Sequence, residues 1–137
     1  SMQQLRYVEA VLAQSEDFKP YAETARLKML EAAENAVSKN AAALDELIFL
    51  GDYYKNREPE KAAEYFRSAL LRDYGNSRLR LKYAEVLAQT GRFEEAVQQA
   101  RMCLKLNPGS RQAKRLIGEL SIRPELIKKR TESVIDK

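Results

Sequence analysis

Small residues return in this chain at a fixed interval. Ala62, Phe66 and Ala69 are followed 34 positions later by Ala96, Ala100 and Cys103, and preceded 33 positions earlier by Met29, Ala33 and Ala36. A spacing of four then three puts each trio on one face of a helix. A second set recurs in step with it: Leu50-Gly51 with Tyr54, Tyr83-Ala84 with Leu87, and Ile117-Gly118 with Ser121. Helix faces without bulk let a neighbouring helix come close. The recurrence therefore predicts helix–turn–helix units, each too poor in apolar surface to fold alone, stacked so that they share one core.

The rest of the pattern agrees. Apolar positions follow a 3.6-residue period, and no segment alternates like a strand for more than a few residues. Breakers at Asp17 to Pro20, Lys39-Asn40, Arg57 to Pro59, Tyr74 to Asn76, Gly91-Arg92, Asn107 to Gly109 and Arg123-Pro124 divide the chain. Between them lie about eight helices, near 3–15, 20–38, 42–56, 59–73, 77–90, 93–106, 110–122 and 124–135. Pro59 and Pro124 suit a first turn, where the missing N–H costs nothing. Gly75, Gly91 and Gly109 suit the left-handed residue that ends a helix. Ser77 and Ser110 suit N-caps.

Composition closes off several kinds of chemistry. The 137 residues include no histidine and one cysteine. Imidazole acid–base catalysis, Ser-His-Asp and Cys-His pairs, nearly every zinc site and any internal disulfide are thereby excluded. Cys103 occupies a small-residue position and reads as core. Five glycines are scattered at helix ends and form no phosphate-cradling loop. Glu94-Glu95 and Asp45-Glu46 point apart on a helix, and Glu16-Asp17 suits the region just before a helix, where the dipole favours acid. No nucleophile has a base; the chain reads as noncatalytic, with no cofactor and no metal. No apolar run is long enough to span a bilayer, and no secretory leader is visible. Ser1-Met2 reads as a tag remnant before a start or at a cloned boundary, and the second of these would make the chain a piece of a longer protein. The compartment is unknown, with a lean toward the cytoplasmic side for a soluble domain.

The 34-residue unit resembles the tetratricopeptide repeat (TPR). The family's series of Leu-Gly, aromatic, Ala, aromatic, Ala and Pro is matched by Leu50, Gly51, Tyr54, Ala62, Phe66 and Ala69, and again by Ala84, Phe93, Ala96 and Pro108. The departures are Glu46 and Arg80 at the early tryptophan position and Tyr74 in place of proline. What the resemblance implies is an all-α, right-handed superhelical stack of antiparallel helix pairs, a TPR-like α-solenoid of about eight helices. The whole of 1–137 is one domain in this reading: a divergent helix pair over 3–38, repeats over 43–76 and 77–110, a half repeat over 111–122 and a capping helix over 124–137.

The resemblance also implies that the first helix of each pair lines a concave groove which holds a peptide or helix of a protein partner. Carried onto this sequence, the contact set is Phe49, Asp52, Arg78, Leu81, Lys82, Glu85, Arg115 and Glu119. Apolar members would supply burial and the charges orientation. Phe49 and Leu81 equally fit ordinary core positions, and the charges a solvated helix face. Some members of the family hold a C-terminal carboxylate with lysines, asparagines and an arginine; those positions here hold Ile48, Asp52, Lys82, Gln112 and Leu116. Shifting the register one repeat towards the N-terminus puts Arg78 and Lys82 where the last lysine and arginine belong, but Phe49 where an asparagine should be. Half a clamp at most remains, and an unpaired Asp52 would repel a carboxylate.

Charge is uneven along the chain. Residues 1–76 carry 10 basic and 13 acidic side chains, and residues 77–137 carry 14 and 7. The alternative function is thus an electrostatic binder of nucleic acid or anionic membrane, through Arg111, Lys114, Arg115, Arg123, Lys128, Lys129 and Arg130. Nucleic acid is the weaker partner, since that half offers only Tyr83 and Phe93 for stacking. An acidic front and basic back also allow head-to-tail self-association.

If the repeat register is right, Ala96→Arg drives a long side chain into an interhelical contact and unfolds the stack. Circular dichroism should show loss of the cooperative thermal transition. A soluble variant with an unchanged melt would mean that the register is wrong.

Overall fold

The computed structural model of the protein describes residues 2–12 and 19–124. These form seven helices: α1 (Met2–Leu12), α2 (Lys19–Ser38), α3 (Leu44–Tyr54), α4 (Pro59–Arg72), α5 (Ser77–Gln89), α6 (Phe93–Leu106) and α7 (Arg111–Ser121). Every expected helix up to 122 is present, with ends shifted by up to two residues where they can be compared. The end expected for the first helix, the Glu16-Asp17 pair and all but the start of the expected cap lie outside the described residues.

Helix ends follow local chemistry, though not always through the residues expected. Pro59 opens α4 at its first turn. Ser110 caps α7, its side chain accepting from the Ala113 N–H at 3.2 Å. At α5 the cap is Asn76 and not Ser77: the Asn76 side chain accepts from the Leu79 N–H at 3.0 Å, which draws Ser77 into the helix. Glu46, one of the two departures at the tryptophan position, turns back to accept from the Ala43 N–H at 3.0 Å and closes the start of α3. Left-handed backbone occurs among the described residues at Gly91 (φ 84°) and Asn40 (φ 54°). Gly75 and Gly109 do not adopt it. Helices α4 and α6 instead stop at Asp73 (φ −138°, ψ 68°) and Asn107 (φ −140°, ψ 86°), so the glycines two residues on are spared the left-handed turn.

Packing joins each helix to the next in sequence, and α5 also touches α7. The small-residue faces meet at the centre. Met29, Ala33, Leu50, Ala62, Phe66, Ala69, Ala84, Leu87, Ala96 and Ala100 are all fully buried, and Cys103 is nearly so. A main cluster runs from Ala33 in α2 to Leu120 in α7, and a smaller one joins Leu81, Cys103 and Ala113. Helices α3 and α4 meet closely at Gly51. A Cβ placed on Gly51 would lie 2.4 Å from the Phe66 ring, well inside van der Waals contact.

Polar side chains staple the stack at its joints. Tyr54 stacks on Tyr65 with ring centres 5.9 Å apart, and its hydroxyl donates to the Glu34 carboxylate of α2. That bond, helped by burial, holds the Tyr54 phenol above its ordinary pKa, against the opposing pull of Lys61. Arg72 at the end of α4 donates to the Ala42 carbonyl before α3. Arg80, the other departure at the tryptophan position, is 4% exposed. Its guanidinium lies 4.2 Å from the Tyr74 ring centre and donates to the Tyr74 carbonyl and the Gln99 side chain, while Nε has no partner.

Gly51 and Gly118 occupy equivalent places, and the fold gives them opposite fates. Alanine at either position gains roughly 1 kcal/mol of helix propensity over glycine. At Gly51 the methyl group meets Phe66, so Gly51→Ala should destabilise by about 1–3 kcal/mol net of that gain. At Gly118 no described atom lies within 4 Å of the added carbon. Gly118→Ala should therefore be neutral or stabilising by up to about 1 kcal/mol. Urea denaturation midpoints of the two variants are expected to move in opposite directions.

Candidate interaction surface

The first helices of successive pairs stand side by side, and one ion pair shows it directly. Lys82 of α5 donates to both carboxylate oxygens of Asp52 in α3, at 2.8 and 2.9 Å. The two side chains keep 30% and 36% of their surface exposed. The unpaired Asp52 of the sequence reading is thus corrected: the neighbouring first helix brings a lysine within reach of it. Nothing in a one-dimensional pattern pairs two residues 30 positions apart on separate helices.

The remaining expected contacts divide into three groups. Arg78 and Glu85 are exposed on α5. Arg115 and Glu119 face one another along α7 at 3.7 Å, both largely in water, so their attraction is weak. Phe49 is half-buried against the core, with Tyr53 one turn on (centroids 6.5 Å apart). Leu81 departs from the expectation. It is 8% exposed and packs with Cys103 and Ala113, because α6 and α7 close over that side of α5. It is a packing residue.

Two arginines join this surface that the sequence reading did not single out. Arg6 of α1 sits 5.8 Å from the Phe49 ring centre and donates to the Asp45 carbonyl at 3.1 Å. Arg57 lies 4.1 Å from the Tyr53 ring centre and donates to the Tyr53 carbonyl at 2.7 Å. Arg57 carries a local signal, since its position four residues after Tyr53 is the ordinary i,i+4 spacing. Arg6 carries none, because α1 lies where the repeat pattern is degenerate.

The basic residues toward the C-terminus are spread out. Arg111, Lys114 and Arg115 are exposed along α7, while Arg123 lies 4.4 Å from the Phe93 ring centre. Lys128, Lys129 and Arg130 lie outside the described residues. Cys103 is buried. No group of three or more metal-ligating side chains occurs among the described residues, and none of the described helices is long and apolar enough to cross a membrane.

No curated protein sequence matches the chain. Among solved structures it resembles the NMR structure of the second TPR domain of the human RPAP3 protein in complex with the HSP70 peptide SGPTIEEVD. The TM-score is 0.64 at 18% identity, with 90% of this chain and all of that one covered. At that identity the likeness is one of fold. A family profile described as "Tetratricopeptide repeat" matches residues 52–120, half of the chain, where Tyr54, Ala62, Phe66, Ala69, Ala84 and Ala96 of the repeat series are buried as close helix contacts require. The chain belongs to the tetratricopeptide repeat family.

Proposed function

We propose that this protein is a noncatalytic interaction module, an adaptor or assembly scaffold, and that it holds a peptide or helix of a protein partner in a concave groove lined by α3, α5 and α7. The observation that carries this reading is the contact of Lys82 with Asp52, which brings the first helices of two consecutive pairs, α3 and α5, within side-chain reach of each other. This reading puts Asp52 and Lys82, half-open, on the groove face together with Arg78, Glu85, Arg115 and Glu119, which are all exposed. Phe49 adds apolar area at the α1 edge, beneath Arg6. The charges of both signs would fix the direction and register of a bound segment and reject partners with the wrong pattern. The structural neighbour, itself a TPR domain with a bound peptide, lends support to a peptide ligand for this fold.

The reading is tested by capture from source-organism lysate on immobilised wild type, on Arg78→Glu with Arg115→Glu, and on Arg101→Glu with Lys105→Glu. The last pair is exposed on α6, a second helix, and serves as a charge control. A partner lost with the first double variant, kept with the second and resistant to nuclease supports the groove. Retention that follows total charge, and disappears with nuclease or moderate salt, would replace it with electrostatic binding. Leu81→Glu belongs in the same series as a folding control: a buried carboxylate there should lower the melting temperature, and any loss of binding would follow from unfolding.

A further inference from the structure

The Asp52–Lys82 pair says which ligands the groove refuses. An ammonium has three N–H donors, and Lys82 gives two of them to the Asp52 carboxylate. A carboxylate arriving from a bound peptide would find this place already filled. It would gain from Lys82 only what Asp52 gave up, and Asp52 would stay beside it as a like charge. A basic group arriving at Asp52 meets the mirror problem in Lys82. The backbones that carry the pair are held by the core on either side, Leu50 and Gly51 in α3 and Ala84 in α5, so the two charges stay within reach of one another.

Resting on the groove reading above, we propose that Asp52 is the specificity-determining residue of this surface. It occupies Lys82 from within the chain and excludes partner segments that bring a carboxylate to the α3–α5 boundary. The segment that binds there is uncharged at that point, with its own charges placed further out, toward Arg78, Glu85 and Arg115.

Asp52→Asn tests this directly. The amide keeps the size and one acceptor while removing the anion, so Lys82 stays charged and opens to a ligand. The probe is the nonapeptide SGPTIEEVD with a free C-terminal carboxylate and an N-terminal fluorophore, titrated at low salt by fluorescence anisotropy. Asp52→Asn is expected to bind it about two- to fivefold more tightly than wild type, the scale of one partly exposed ion pair. Asp52→Ala should show the same direction of change, and it guards against a fold defect peculiar to the amide. The gain should vanish when Lys82→Gln is added. An amidated analogue with glutamine and asparagine in place of the acids should bind wild type and variants alike.

Equal affinity of wild type and both Asp52 variants, including no binding by any, overturns the proposal. So does a gain that survives Lys82→Gln. The peptide reports on Lys82 and is not offered as the natural partner. Failure of this titration therefore leaves the lysate result standing, and failure of the lysate capture leaves the titration to be judged by itself.

Discussion

Everything in this stack depends on how closely α3 can approach α4. Gly51 lies against the face of Phe66 with no room for even a methyl group. That separation sets where α4 leaves the first repeat, and so where α5 starts the next. The alanines at 62, 69, 84, 96 and 100 continue the same condition through the chain, each fully buried without a side chain large enough to hold its neighbour off. A core made this way is thin and has little slack. Larger side chains fill the space between these close contacts, with Phe66, Met29, Leu50, Leu79 and Leu87 the most deeply buried of them. The polar staples then make sense as supplements. Tyr54 with Glu34 and Arg72 with the Ala42 carbonyl each tie a joint between helix pairs, where apolar area is scarce.

Much of this was legible in the sequence, and the reason is geometric. A 34-residue period records packing that must recur, so the helix order and the buried Ala, Phe and Cys positions could be read from spacing. Departures from the period were harder to interpret. Glu46 and Arg80 stand where the repeat has a large aromatic residue, and each solves the vacancy in its own way: one caps a helix, the other becomes a buried guanidinium. Helix ends were legible only where one residue decides them. Gly91 takes the left-handed turn, but Gly75 and Gly109 do not, since Asp73 and Asn107 ahead of them had already ended the helix.

The candidate surface was less legible than the core. Phe49, Asp52, Arg78, Lys82, Glu85, Arg115 and Glu119 remain accessible in whole or part, whereas Leu81 turned inward. Helical position alone cannot separate these cases. Positions 81 and 82 are neighbours in sequence but about 100° apart around the helix, and how much of each is covered depends on how far α6 and α7 wrap around α5. The contributions of Arg6 and of the Asp52–Lys82 pair depend on contacts between helices far apart in sequence. Those contacts follow from the stack as assembled, and no local periodicity encodes them.

Arg80 has a consequence for how such a protein can grow or be rebuilt. Repeat proteins lengthen by duplicating a unit, which works when each unit asks the same of its neighbours. The second repeat asks for something particular: Tyr74, supplied by the loop of the preceding unit, covers its buried guanidinium, and Gln99 on its own α6 receives it. A tandem copy of residues 77–110 would follow Pro108, which occupies the place equivalent to Tyr74. The duplicated arginine would then lose its aromatic cover while remaining inside the stack, with one guanidinium nitrogen already lacking a partner. The junction between the two repeats is consequently a private one. Recombination or design that treats these repeats as interchangeable cassettes must carry Tyr74, Arg80 and Gln99 together.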